Sequence, residues 1–203
     1  MSDQSPQNKK ALASQQMRQK ILQTTIEIIG SEGYVALTAS RLSQRAGISK
    51  GALYHHFANL DEVRMSALAF LLTMFVAAEP DDTASFSDYL KASGERLFNR
   101  MKQQPVAMKA LYAFVFQALV DEPLKLQIRE LITQSLDEYT EVIGHYFPAL
   151  SDKQRNQVVL ILDAYFGGAV FQWFLLDDEA ACLAGWQQFS RMLLSTLQAM
   201  ERS

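Results

Sequence analysis

The feature that most constrains the fold is the stretch 38–57, with the sequence TASRLSQRAGISKGALYHHF. Two short helical patterns flank a turn at Gly47, a residue free to adopt the left-handed backbone conformation that ends many helices. Thr38 and Ser49 precede the two helices, where a hydroxyl accepts a hydrogen bond from a free backbone N–H group. With Leu42 on the inner side, the pattern predicts a helix-turn-helix unit.

The second helix of such a unit enters the major groove of DNA with its N-terminal end leading. Gly51 and Ala52 are small enough there to let the backbone approach the bases closely. Lys50 can reach a phosphate or a guanine edge. The stretch therefore predicts DNA binding, and no other part of the sequence carries comparable chemistry.

These residues resemble the DNA-binding domain of the TetR family of bacterial transcriptional regulators. The resemblance covers roughly residues 15–65 and depends on an ordered set of side chains. These are Arg18, Ile21, Leu22, Gly33, Tyr34, Thr38, Ala46, Gly47, Ser49, Lys50, Gly51, Leu53, Tyr54, His56 and Phe57. It implies a homodimer in which a larger, all-helical domain follows the DNA-binding domain, binds a small molecule and carries the dimer interface.

Carried over position by position, the resemblance implies a set of DNA-contacting residues. They are Thr38, Ala39, Ser49, Lys50, Gly51, Ala52, Tyr54, His55 and His56. For His56, packing or capping is an equal alternative. The family commonly has a phosphate-binding lysine where this chain has Leu60, so we expect one phosphate contact to be missing, with Asn59 or Arg64 replacing it in part.

The charge is unevenly distributed along the chain. Residues 1–65 contain eight Lys or Arg and five Asp or Glu, a net of +3, whereas residues 66–203 contain eleven and seventeen, a net of −6. A basic N-terminal part on an acidic body suits binding to a polyanion, although short segments also fluctuate this much by chance. Lys9, Lys10 and Arg18 are candidates for phosphate contacts, and a solvated tail is the alternative.

Helical periodicity runs through the chain after about residue 14, and strand patterns are nearly absent. We therefore expect an all-α fold of about nine helices. The predicted helices are 14–31, two within the motif, 59–78, 86–103, 106–120, 124–146, 152–176 and 179–200. The predicted division is a flexible tail (1–14), a TetR-type DNA-binding domain (15–75) and a helical ligand-binding and dimerisation domain (76–203).

The eighth predicted helix is apolar on nearly every side from residue 158 to 176, so both of its sides need to be covered. One side can face the core and the other a second subunit, as in the four-helix dimer interface that the resemblance implies; a monomer with an internal eighth helix is the alternative. The predicted interface residues are Tyr165, Gly167, Gly168, Trp173, Trp186, Phe189 and Leu193.

Aromatic and methionine side chains at helical spacing in the body are typical of a core, and in this family they also line an effector cavity. Asp163 lies in an apolar helix and needs a partner, which could be an effector or simply solvent or another side chain. The candidate ligand-binding residues are Phe70, Met74, Met101, Met108, Tyr112, Phe116, Tyr139, Asp163 and Tyr165.

No cofactor, metal site or enzyme activity is predicted, because no zinc ligand set, phosphate-binding loop or nucleophile motif is found. A lone cysteine, Cys182, and the absence of a signal sequence or an uninterrupted apolar run of about 18 residues favour a cytoplasmic protein with no membrane contact. We expect a ligand-responsive repressor that binds a double-stranded DNA operator. The alternatives are a constitutive architectural DNA-binding protein and a ligand-binding protein that has lost DNA recognition.

Overall fold

The computed structural model describes residues 6–76 and 83–202. Over these ranges the chain contains no strand, and the predicted all-α fold of nine helices is confirmed. The helices are α1 (Pro6–Glu32), α2 (Ala39–Ala46), α3 (Lys50–His56), α4 (Leu60–Val76), α5 (Phe86–Gln103), α6 (Pro105–Gln117), α7 (Glu122–Tyr146), α8 (Asp152–Leu176) and α9 (Glu179–Glu201), with a short 3-10 helix, Tyr34–Ala36, after α1.

Helix α1 begins at Pro6, well before the predicted start near residue 14, so residues 6–14 of the predicted flexible tail are helical. Proline is favoured in the first turn of a helix, where its missing N–H has no intrahelical partner to lose. The residues that follow include Lys9, Lys10, Ala11 and Leu12, all of which have high helix propensity. The polar composition of residues 6–14 indicated a flexible tail, whereas their helix propensity favours a helix. Residues 1–5 of the predicted tail lie outside the described residues.

The chain divides into two compact units. The first comprises residues 1–78 and 104–125 and contains α1 to α4 and α6; the second comprises residues 79–103 and 126–203 and contains α5, most of α7, α8 and α9. Helix α6 therefore packs with the helices that carry the motif, whereas the prediction placed all of 76–203 in one domain. The functional division at residue 75 remains a prediction.

The core of the first unit is built on α1, whose buried isoleucines include Ile21 and Ile28. Helix α6 packs closely against α1 at Gly30, because a Cβ atom there would lie 2.1 Å from the carbonyl oxygen of Val106. Nearby, the rings of Tyr34 and Phe114 meet edge to face with centroids 5.5 Å apart. These contacts fix α6 against the N-terminal helices independently of the motif itself.

The second unit is organised around Trp186 of α9, which is almost fully buried. Its indole lies directly against α5 at Gly94, where a Cβ atom would be 2.0 Å from the indole Nε1. The Trp186 ring also lies 5.1 Å from the ring of Phe166 on α8, which in turn stacks at 5.7 Å on Tyr139 of α7. One chain of aromatic contacts thus joins all four helices of this unit.

Candidate DNA-binding interface

The α2–turn–α3 segment has the local geometry that its sequence predicts. The Thr38 hydroxyl accepts a hydrogen bond from the Arg41 N–H at 3.2 Å, and the Ser49 hydroxyl accepts one from the Ala52 N–H at 3.0 Å, so both caps are formed. Gly47 ends α2 in the left-handed conformation, with φ 67° and ψ 36°. These three residues set the angle at which α3 leaves α2.

Helix α3 has one buried side and one exposed side. Leu53 is completely buried and Phe57, just after the helix, nearly so. Lys50, Tyr54 and their neighbours lie on the opposite side, because residues four apart share a helical face. Of the predicted DNA-binding residues, those exposed are Thr38, Ser49, Lys50, Gly51, Tyr54 and His55, and those partly buried are Ala39, Ala52 and His56.

Arg18 of α1 holds the C-terminal end of α3. Its guanidinium donates a 2.6 Å hydrogen bond to the carbonyl oxygen of His56 and lies 4.0 Å from the centroid of the Phe57 ring. A second guanidinium nitrogen donates to the Ser66 hydroxyl at 3.3 Å and pairs with Glu62 at 3.5 Å. This side chain therefore positions α3, and the suggestion that Arg18 contacts a phosphate stays a prediction. Sequence reasoning missed the role because all its partners are at least 38 residues away.

The start of α4 is held by its own side chains. The Asn59 carboxamide oxygen accepts a hydrogen bond from the Glu62 N–H at 2.8 Å, which confirms Asn59 as the cap. The Glu62 carboxylate in turn accepts one from the Ala58 N–H at 2.6 Å. Arg64 pairs with Asp61 at 2.6 Å. Asn59 uses only its carboxamide oxygen in this cap, and Arg64 pairs with an exposed carboxylate, so the replacement of the lysine missing at Leu60 by Asn59 or Arg64 stays a prediction.

Helix α2 carries two arginines that share one acid. Arg41 and Arg45 pair with the two carboxylate oxygens of Glu32 at 2.8 Å and 2.9 Å, and about half of each arginine side chain stays accessible. Glu32 thus ties the end of α1 to α2 and offsets part of their charge. Among the exposed side chains of α3, Lys50 supplies the one permanent positive charge.

The nine candidate ligand-binding residues are divided between the two units. Phe70, Met74, Met108, Tyr112 and Phe116 lie in the first, and Met101, Tyr139, Asp163 and Tyr165 lie in the second. Among these residues, Met101 and Met108 are buried.

In the second unit, Asp163 is half-buried, and desolvation raises the pKa of its carboxyl. Burial also raises the pKa of the Tyr139 phenol, chiefly by desolvation, and the nearby Asp163 carboxylate adds to the increase. A carboxylate and a phenol are thus close together among aromatic rings. Among the described residues, no group of three His, Cys, Asp or Glu side chains is placed to hold a metal ion.

The predicted dimer-interface residues differ in how much of their surface is exposed. Trp186 and Leu193 are buried inside the single chain, so their large side chains offer almost no surface to a partner, and the prediction is corrected for these two. Tyr165, Trp173 and Phe189 are partly exposed. At Gly167 and Gly168 an added Cβ atom would meet nothing within 4 Å, so both glycines border open space.

Exposed apolar side chains that the prediction did not include lie on the same helices. They are Leu160, Ile161, Leu175 and Leu176 on α8 and Met192 on α9. By length and composition alone α8 could cross a membrane, and only 28% of its most apolar window is buried in the protein. The sequence prediction did not identify α8 as such a helix, because polar residues interrupt its apolar run. The helical spacing of 160, 161, 164, 168 and 175 was the available signal.

Comparison with known proteins gives a consistent family. Residues 21–64 match the family model for bacterial regulatory proteins, tetR family. The HTH-type transcriptional regulator BetI 1 of Chromohalobacter salexigens is 27% identical over 155 residues, which cover 74% of this chain and 75% of that protein. IcaR of Staphylococcus epidermidis, the negative transcriptional regulator of the biofilm operon icaADBC, is 23% identical over 172 residues, covering 80% and 90%. A shorter match, to the uncharacterized regulator YerO of Bacillus subtilis, is 32% identical over 57 residues, covering 28% of this chain and 20% of YerO.

Among solved structures, a TetR transcription regulator from Haloarcula marismortui matches with a TM-score of 0.73 and 22% identity, covering 92% of this chain and 98% of that one. At this identity the match shows the fold. Together with the family match over the motif, it confirms the predicted resemblance and supports DNA binding and transcriptional regulation as the activity. Over residues 21–64 the chain matches the tetR family of bacterial regulatory proteins, and the predicted resemblance to that family is confirmed.

Proposed function

We propose that the protein is a homodimeric, cytoplasmic repressor that binds a pseudo-palindromic DNA operator and is released by a small, largely apolar molecule. The observation that carries the DNA-binding part is the exposed side of α3, where Lys50 and Tyr54 are accessible while Leu53 is buried. Since Ser49 caps α3 and Arg18 holds its other end, this face is presented without rearrangement. In this proposal the nine predicted DNA-binding residues in and next to α2 and α3 contact the operator.

The homodimer is supported by the apolar surface of α8 and α9. Leaving Leu160, Ile161 and Met192 in water is unfavourable, since burial of apolar area gives roughly 25 cal/mol per Å². The open space at Gly167 and Gly168 suits a close crossing with the same helix of a second subunit. In this proposal α8 and α9 of each subunit form a four-helix bundle, and no part of α8 enters a membrane.

The effector is the least constrained part of the proposal. Asp163 and Tyr139 place two polar groups among the rings of Phe166 and Trp186, which fits a site with few polar contacts and many apolar ones. We propose that the effector binds more tightly to a conformation in which the two α3 helices are wrongly spaced for the operator. Operator affinity then falls by the same factor by which DNA weakens effector binding.

The experiment that tests DNA recognition is selection of bound fragments from genomic DNA at about 0.15 M salt, where non-specific binding is weak. The wild-type protein should enrich a palindrome, because the two identical DNA-binding domains of a dimer contact two half-sites about one helical turn apart. A variant carrying Lys50→Ala and Tyr54→Ala should lose this enrichment while remaining dimeric. Lys91→Ala with Lys153→Ala removes exposed charge from the second unit and serves as the control.

Leu60 favours a second candidate, a dimeric ligand-binding protein without DNA recognition. A leucine cannot supply the phosphate contact that the family commonly makes at this position, and Arg64 already pairs with Asp61. The same selection separates the candidates: recovery of no fragment above background by a dimeric wild-type protein supports this second function and contradicts the first.

A further inference from the structure

The first turns of α1 carry no packing role. Every residue from 8 to 16 is exposed, including Leu12, and the first buried side chains of the helix are Ile21 and Leu22. Helical segments of this length are marginal in water without tertiary contacts, yet here the segment continues an anchored helix and so needs no nucleation of its own. It is a continuous extension of the first unit rather than part of its core.

The extension and the turns that follow are exclusively basic. From residue 4 to residue 26 the chain contains no Asp or Glu, whereas it contains Lys9, Lys10, Arg18 and Lys20. Arg18 is committed to α3, as described above, but Lys9 and Lys10 are exposed. Adjacent lysines on this acid-free part of α1 give a local positive potential.

The part of α1 that follows the extension contacts the helix-turn-helix motif. Arg18 contacts the carbonyl oxygen at the C-terminal end of α3, and the Lys20 ammonium lies 4.0 Å from where a Cβ atom on Gly47 would be. Lys10 is eight residues before Arg18, which corresponds to about 12 Å along a helix rising 1.5 Å per residue. Lys9 and Lys10 therefore lie roughly 12–14 Å from Arg18 along the axis of α1.

We propose that residues 8–16 form a preformed basic helix that binds the phosphodiester backbone of duplex DNA outside the base pairs that α3 contacts. The inference rests on the proposed DNA binding and assigns to Lys9 and Lys10 a contact that carries no sequence information. Double-stranded DNA suits the surface because it offers closely spaced phosphates over that distance. The extension thereby lengthens the footprint and supplies a phosphate contact of the kind missing at Leu60.

The test is the salt dependence of binding, measured by fluorescence anisotropy with the duplex that the wild-type protein selects, or with a random 40-base-pair duplex if none is selected. Lys9→Ala with Lys10→Ala keeps helix propensity and removes the two charges. If both lysines contact phosphate, the slope of log K against log salt becomes shallower by about 1.8 per subunit, and affinity at 0.1 M salt falls roughly tenfold or more. Sequence preference should stay as in the wild type.

Two further variants make the result specific. Lys91→Ala with Lys153→Ala changes the net charge equally and should leave the slope at the wild-type value. Ala11→Gly with Ala13→Gly keeps all charges but weakens the helix, and should lower affinity if the lysines must be held in place. A wild-type slope in the Lys9 and Lys10 variant overturns the inference while leaving the proposed function intact. Failure of the wild-type protein to bind any duplex overturns both.

Discussion

The exposed face of α3 and the exposed face of α8 differ in what they leave to solvent. On α3 the accessible side chains are polar. The Ser49 hydroxyl accepts a hydrogen bond from the Ala52 N–H at the start of the helix, and Arg18 donates one to the His56 carbonyl oxygen at its end. On α8 the accessible side chains include Leu160, Ile161, Leu175 and Leu176, and two glycines of the same helix border open space. The polar face of α3 is stable in water in a single chain. The apolar face of α8 is unfavourable in water unless another apolar surface covers it.

The difference teaches that the two faces support different kinds of inference. A polar face with capped ends is specified by short-range sequence patterns, so the residues themselves indicate its partner. An apolar face indicates only that something covers it, and the partner has to come from symmetry and shape. The predictions that follow alter a residue of one face or of the core, and compare it with a matched residue elsewhere.

The largest effect is expected from a charge on the α8 face. Ile161→Glu should convert the dimer to a monomer, and operator affinity should fall roughly 100-fold or more because two linked heads bind with a high effective concentration. Leu126→Glu is the matched control, since Leu126 on α7 is exposed to the same extent, 57%, as Ile161. Light scattering and anisotropy report the two quantities. A dimer that survives Ile161→Glu, or an equal loss with Leu126→Glu, would contradict the assignment of this face.

A pair of glycines separates core packing from the open face. Gly94→Ala should lower the free energy of unfolding by about 1–3 kcal/mol, because the new Cβ atom lies 2.0 Å from the Trp186 indole. Gly168→Ala should raise it by about 0.5–1 kcal/mol, since it meets nothing and alanine favours helix. Urea unfolding in the monomeric Ile161→Glu background removes the contribution of dimer dissociation. The same sign for both variants would mean that Gly168 is packed within the single chain.

Arg18→Ala tests whether the α3 face is positioned from behind. We expect the free energy of unfolding to fall by about 1–2 kcal/mol, because the guanidinium's charge-assisted hydrogen bond to the His56 carbonyl and its contact with Phe57 are lost. Operator affinity should fall while the salt slope stays unchanged, since Arg18 is committed to protein groups. Lys50→Ala is the comparison, with a slope shallower by about 0.9 per subunit. A similar change of slope for Arg18→Ala would restore the phosphate contact.

The same contrast explains what could be predicted from the sequence. Thr38, Gly47, Ser49 and Asn59 act within three or four residues of themselves, so their roles are visible in the order of residues and are confirmed. Arg18 contacts residues 38 to 48 positions away, and no local pattern contains that information. Burial of Trp186 depends likewise on a distant residue, Gly94 on α5.

The assignments to an effector site remain predictions for a related reason. A helical body uses the same aromatic and methionine side chains for its core and for a cavity, so Met101 and Met108 could not be assigned from spacing alone. Both side chains are buried in the folded chain, which accounts for their spacing without an effector. The polar pair of Asp163 and Tyr139 is a stronger indicator, because a polar group in an apolar setting needs a reason.

The smallest effect concerns that polar pair. Burial raises the pKa of Asp163 in the folded protein, so ionisation opposes folding above the ordinary value of 3.8, and fully so above the raised pKa. Asp163→Asn should therefore raise the free energy of unfolding at pH 7, by at most about 1 kcal/mol for a half-exposed group. The gain should shrink as the pH falls through the raised pKa and vanish below the ordinary one.

Asp152→Asn provides the opposite sign on the same helix. Asp152 lies in the first turn of α8, where the helix dipole favours a negative charge, so its removal should lower stability at pH 7. Thermal unfolding of the two variants between pH 3 and pH 8 compares them directly. If Asp163→Asn also lowers stability at pH 7, Asp163 has a stabilising partner in the dimer and is structural. If it raises stability, the carboxylate costs the protein stability, and its retention is best explained by contact with the effector.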